Sequence, residues 1–240
     1  MSDILCEGCG YVLNGLPADS RCPECGKPID ESVGHERIAP SWEQSPRKSS
    51  GFLRTTLDVI FAPTQFYRTL AVRGSVDHAR RFARVHWWIA AGLFGLTCAT
   101  HTLWYGYIMN SMRSPLHEPR VLQLYAGAIL VLSVATYFAL DGITRLAAKL
   151  TNWEATYRGI RLPYDIVLRG MYYHAAHYIP VAIGAFATVI GYQILLALGR
   201  LSYASGTTYL YILAAEVILS AGYLFQTYWI GMRNMMYANR

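Results

Sequence analysis

The placement of charge along the chain separates a polar first third from a series of long apolar runs. No Asp, Glu, Lys or Arg occurs between Arg84 and Arg113, between Arg120 and Asp141, or between Arg169 and Arg200. Between Arg200 and Arg233 the single such residue is Glu216. Each run reaches the roughly 20 residues a helix needs to cross a hydrocarbon core of about 30 Å. Lipid offers no partner for backbone amides, so each run must be helical. The pattern predicts an all-α transmembrane helical bundle of about four spans, at 85–109, 121–146, 172–198 and 208–232, within a helical domain over 82–240.

Residues 52–81 carry a different period. Leu53, Leu57, Ile60 and Phe61 recur at helical spacing with Arg54 and Asp58 between them. Pro63 interrupts the run, and Phe66, Tyr67 and Leu70 resume it. This is the pattern of an amphipathic segment lying in the membrane interface, although a soluble core helix would show the same period. Residues 33–51 hold Pro40, Pro46, Ser41, Ser45, Ser49 and Ser50 with Arg47 and Lys48, and apart from Trp42 no apolar period is visible. They read as a flexible linker.

Composition and charge sharpen this picture. Hydrophobic residues make up 53% of the 240 and charged ones 15%, well under the roughly 25% charged of soluble domains. The net charge of +6 is distributed as topology requires. Arg73, Arg80, Arg81 and Arg84 precede the first span, and Arg145, Lys149, Arg158, Arg161 and Arg169 join the second to the third. Arg233 and Arg240 follow the fourth, while the other two connections hold only Arg113, Arg120 and Arg200. Basic residues stay on the cytosolic side, so both termini and the middle connection are expected in the cytosol of a multi-pass protein of the cytoplasmic membrane. Met1–Gly10 has no apolar core of a secretory signal. The juxtamembrane arginines, Arg68 included, make anionic membrane lipids an expected partner. Trp87 and Trp88 would mark the inner interface, and Trp104, Tyr105 and Tyr107 the outer one.

Residues 1–32 are punctuated by cysteine. Cys6-x2-Cys9 and Cys22-x2-Cys25 have the paired spacing of a structural zinc site, in which four thiolates complete a tetrahedron. Gly10 and Gly26 follow each pair and permit the tight turn that aims amides at sulfur. Two disulfides are the alternative, disfavoured in the cytosol. Arg21 and Lys27 face Asp3, Glu7, Asp19, Glu24, Asp30 and Glu31 in this module. It is therefore acidic, and a cytosolic protein rather than nucleic acid is its expected partner.

Ionisable groups within a span are costly, so Glu216 and His101 form the candidate intramembrane polar site. Both lie at similar depth in their spans, which makes a contact between them an expectation. A protonated Glu216 bonded to a neighbouring helix is the plainer alternative. His174 and His177, at i and i+3, share a helix face where a metal or interfacial polar contacts would fit. No nucleophile–base set, phosphate loop or dinucleotide fingerprint occurs, so catalysis is not expected.

The stretch CEGCGYVLNGLPADSRCPECG resembles the short zinc ribbons at the N-termini of many bacterial membrane proteins. That resemblance implies a small β-rich hairpin module. The segment Ile60-Phe61-Ala62-Pro63-Thr64-Gln65-Phe66-Tyr67-Arg68-Thr69-Leu70 resembles the motif leading into the first span of Yip1-domain membrane proteins. Arg169-Gly170-Met171-Tyr172-Tyr173 through Pro180 is similar to that family's aromatic approach to a proline-containing helix. The resemblance covers residues 55–235 and implies a helical membrane domain; eukaryotic members act in vesicle trafficking with small GTPases. The sequence as a whole points to a membrane scaffold or adaptor with a structural zinc ribbon. A small transporter or channel component using Glu216 and His101 is the alternative.

Overall fold

A computed structural model describes residues 3–33, 37–45, 49–71, 74–109, 119–160, 162–200 and 206–239. The chain is mainly helical: α1 (Asp30–Val33), α2 (Ser41–Gln44), α3 (Ser49–Phe61), α4 (Pro63–Thr69), α5 (Val76–Met109), α6 (Pro119–Tyr157), α7 (Tyr164–His174), α8 (Tyr178–Ala197) and α9 (Gly206–Met235). Pro63 separates α3 from α4. Having no N–H to donate, it takes the first position of the new helix, where none is needed. Pro180 acts similarly in the first turn of α8, just after a 3-10 turn over Ala175–His177.

Three of the four expected spans lie within one helix each, and 172–198 takes in the end of α7, the turn over Ala175–His177 and all of α8. Among the described residues, three helices are long and apolar enough to cross a membrane: Arg120–Tyr157, Tyr164–Leu196 and Thr207–Met235. This corrects the expected count of about four. The first expected span falls in α5, where His86, Trp87, Trp88, Gly92, Gly95, Thr97, Thr100 and His101 lower the mean hydropathy without adding fixed charge. The side chains of the outer aromatics Trp104, Tyr105 and Tyr107 lie outside the described residues, as do Arg47, Lys48, Arg73, Arg113, Arg161 and Arg240.

The expected β-rich character of the cysteine module is also corrected. Among the described residues no strand forms there, and the antiparallel pairing consists of isolated bridges, Leu5 with Val12 and Arg21 with Pro28.

The chain divides into two compact units. The first comprises Met1–Ala83, Thr144–Ala176 and Phe225–Arg240; the second comprises Arg84–Ile143 and His177–Leu224.

In the first unit, the stretch expected as a flexible linker carries α2 and the start of α3. Trp42 Nε1 donates to His78 O at 2.8 Å, and its ring packs edge-on to Phe52 with centroids 5.7 Å apart. Phe52, Phe82, Tyr173 and Phe66 continue this aromatic core, with successive centroids 5.2, 5.2 and 5.3 Å apart. At its edge a buried carboxylate, Glu43, receives Arg169 Nη2 at 2.8 Å and the Tyr173 hydroxyl at 2.6 Å. Arg169 Nη1 also donates to Ala71 O. A buried charge needs this kind of full partnering, because an unpaired one costs several kcal/mol.

In the second unit, Trp88 stacks on Tyr137 at 4.5 Å, and Gly95 allows Ser133 of α6 to approach α5 where any Cβ would collide with it. Such small residues are what close helix contact requires when lipid supplies no hydrophobic drive.

Candidate metal centre

The cysteine module is two copies of one turn, a relation easily missed in the sequence because few residues repeat. Cys6 N donates to Tyr11 O and Gly10 N to Cys6 O, each at 2.8 Å; sixteen positions on, Cys22 N donates to Lys27 O at 2.8 Å and Gly26 N to Cys22 O at 2.9 Å. Leu13 N to Ile4 O is likewise repeated by Ile29 N to Ser20 O. Gly10 and Gly26 have φ of +81° and +73°, a left-handed conformation that glycine adopts without steric cost. Cys6, Leu13, Cys22 and Ile29 are buried together as the module's own core. The signal available in sequence was the shared CxxCG and the aliphatic residue four positions after its second cysteine.

The two turns bring all four sulfurs within 4.8 Å of one another. Cys6 Sγ lies 3.5 Å from Cys25 Sγ, and Cys9 Sγ 3.5 Å from Cys22 Sγ. A tetrahedron with metal–sulfur bonds of about 2.3 Å has edges of about 3.8 Å. A disulfide would need about 2.05 Å. The arrangement therefore fits a four-thiolate metal site and leaves the cysteines free thiols.

Burial pushes the Cys6 thiol up, but hydrogen bonds from the Gly8 and Cys9 amides and from the Cys25 and Cys22 thiols outweigh it and bring it down to about 7. Burial pushes the Cys9 thiol up, the Tyr11 amide opposes this, and the other three sulfurs add to the rise. A thiolate at Cys6 thus opposes the ionisation of Cys9 until a cation neutralises it.

The first turn is fastened to the helical part of the same unit. Glu7, between Cys6 and Gly8, accepts from Arg37 Nη2 at 2.7 Å, with both side chains buried. Arg37 also donates to Tyr67 O at 3.2 Å, Leu70 O at 3.3 Å and Asn234 O at 3.3 Å. The Asn239 side chain accepts from Leu5 N and donates to Leu5 O and Ser32 O, each at 2.8 Å. Gly10 lies against the Tyr237 ring so closely that a Cβ would come within 2.5 Å of it. By contrast, a Cβ on Gly26 would meet nothing within 4 Å, and Cys25 is exposed. Arg37, Tyr237 and Asn239 were not foreseen from the sequence, since nothing local marks a polar residue as the partner of a distant turn.

The intramembrane candidates are not brought together as a pair. His101 Nδ1 bonds to the Tyr209 hydroxyl at 2.7 Å. The Glu216 carboxylate accepts from Ser220 at 3.2 Å and faces Gly184, where a Cβ would lie 2.8 Å from its Oε1. Seven residues separate Tyr209 from Glu216 along α9, about 10 Å at 1.5 Å per residue. Of the two histidines, His174 Nε2 meets Thr227 Oγ1 at 3.0 Å in the first unit, and His177 Nδ1 meets the Tyr223 hydroxyl at 2.8 Å in the second. Both have hydroxyl partners on α9.

Comparison of the chain with protein-family models, with curated proteins and with solved structures returned no match.

Proposed function

We propose that the chain is a multi-pass membrane scaffold that displays an N-terminal zinc ribbon in a fixed orientation to cytosolic proteins. The observation that carries this reading is the closed set of four sulfurs joined to the helical part of its unit through Glu7, Gly10 and Leu5. Zn2+ held by Cys6, Cys9, Cys22 and Cys25 would have no open coordination position, so its contribution is structural. Metal binding supplies folding free energy to a module too small to stabilise itself by burial. The three long apolar helices anchor it, and the distribution of arginine puts both termini on the cytosolic side of the cytoplasmic membrane.

The close approach of Gly184 to Glu216 favours the scaffold over the transporter alternative, because it places the carboxylate in a packed helix contact.

The test has two parts. Purified protein should contain one zinc per chain by elemental analysis, and Cys22→Ser should lose it. Proteins cross-linked to the chain in cells should then differ between the wild type and Cys22→Ser. An identical set with and without zinc refutes the adaptor role, and a metal-free wild type refutes the zinc site.

A further inference from the structure

α3 is inverted for a helix in water. Its buried residues are Gly51, Thr55, Thr56 and Val59. A Cβ on Gly51 would lie 2.8 Å from Ser41 O, so α2 sits directly on this face. Thr55 Oγ1 accepts from Trp42 N at 3.0 Å, and Thr56 Oγ1 donates to Phe52 O at 2.9 Å. The hydroxyls are thus inside and satisfied. Outside stand Leu53, Leu57 and Phe61, with exposures of 58%, 45% and 78%. Their four-residue spacing sets them in one line, about 12 Å long at 1.5 Å per residue. Water gains nothing from such a face, and a contiguous exposed apolar line marks a site that another phase or molecule covers.

We propose that the Leu53–Leu57–Phe61 face lies in the boundary between headgroups and acyl chains of a phospholipid leaflet with anionic headgroups. The inference rests on the membrane-spanning reading of the chain. Three observations select this occupant. The unit that contains α3 also contains residues 144–157 of α6 and 225–235 of α9, the end stretches of two helices long and apolar enough to cross a bilayer. The boundary of any bilayer those helices cross therefore falls near this unit. A second exposed apolar line, Leu146, Leu150 and Trp153, runs along α6 within it, and tryptophan concentrates at membrane interfaces. The charge is also complementary: among the described residues of this unit between 49 and 83, Arg54, Arg68, Arg80 and Arg81 outnumber Asp58 and Asp77, and Arg54 is exposed beside Leu53. An apolar face bordered by arginine is the pattern of helices that lie in an anionic interface.

The full chain in nanodiscs of phosphatidylglycerol and phosphatidylcholine supplies the test. A benzophenone amino acid replaces Phe61, Leu57, Leu130 or Glu24, one at a time, and the adducts formed on illumination are identified by mass spectrometry. Leu130 is an exposed residue of α6, and Glu24 is an exposed residue of the cysteine module. Phospholipid adducts at positions 61, 57 and 130, with none at 24, support the proposal. A protein adduct at 61, to a second copy or to another chain, overturns it. So does the lack of a lipid adduct at 61 and 57 while position 130 forms one. No lipid adduct at position 130 refutes the membrane-spanning reading itself. In phosphatidylcholine alone the yield at 61 should drop while that at 130 holds; equal yields at 61 would overturn the anionic preference.

Discussion

Removing Arg37 should detach the cysteine module from the helices while leaving the module's own turns intact. In Arg37→Met, Glu7 keeps its buried position without the guanidinium that neutralises it, and the carbonyls of Tyr67, Leu70 and Asn234 each lose a donor. Breaking a buried ion pair by deleting one partner costs about 3–5 kcal/mol. The three long carbonyl contacts are parts of the same network and do not add to that figure independently. The suitable assay is native-state hydrogen exchange of the intact protein in detergent, read at the Leu5 amide, whose acceptor is Asn239 Oδ1. At about 1.4 kcal/mol per tenfold, the Leu5 amide should exchange about 100-fold to several thousand-fold faster in Arg37→Met. Glu7→Leu should produce an effect of similar size, since it strands the arginine instead. The double variant should exchange more slowly than either single one, because no unpaired charge remains to be kept from water. A change of less than about tenfold in Arg37→Met, or strictly additive effects in the double variant, would refute the account of Glu7 and Arg37 as a coupled buried pair.

Three further outcomes follow from the same geometry. Gly10→Ala and Gly26→Ala both force alanine into a left-handed conformation at a cost of about 1–2 kcal/mol, but only the first meets the Tyr237 ring; Gly10→Ala should therefore lower the unfolding temperature more, and equal losses would contradict the docking of Gly10. Because burial resists the amide hydrogen bonds, which bring the Cys6 thiol down only to about 7, and pushes the Cys9 thiol up, binding of Zn2+ at neutral pH must displace protons from the thiols. Its apparent affinity, measured against a chromophoric chelator, should fall more than tenfold per unit as pH drops from 8 to 6, and a flat profile would contradict four-thiolate ligation. Gly184→Ala should destabilise the protein in a detergent melt by driving a methyl against the Glu216 carboxylate, and adding Glu216→Ala should restore part of the loss; no recovery would mean that the two groups do not share that space.

What the sequence disclosed was whatever repeats at short range. The charge-free runs mark the helices, because a span's apolarity is a property of consecutive residues. The two CxxC pairs mark the sulfur cluster, because each turn is closed by hydrogen bonds within a handful of positions. Relations between distant residues were hidden. Asn239 looks like any polar residue near a helix end, and only the folded chain sets it against Leu5. Thr55 and Thr56 would be assigned to the outside of a helix by polarity alone, yet Trp42 and Ser41 draw that face inward. The period of α3 was legible, but which of its faces packs against the protein was not. The partners of His101 and Glu216, the Tyr209 hydroxyl and Ser220, were hidden likewise, because depth along separate helices does not fix which side chains meet.

The contact between Asn239 and Leu5 also fixes an order of events during synthesis. Leu5 leaves the ribosome 234 residues before Asn239, an interval of about 10–50 s at 5–20 residues per second. The two cysteine turns can close early, and Glu7 can meet Arg37, but the contacts of Leu5 with Asn239 and of Gly10 with Tyr237 must wait until α9 has been made. Through that interval the nascent chain carries a half-docked module, with the surface of Leu5 and Gly10 that Asn239 and Tyr237 will cover open to whatever chaperone attends it.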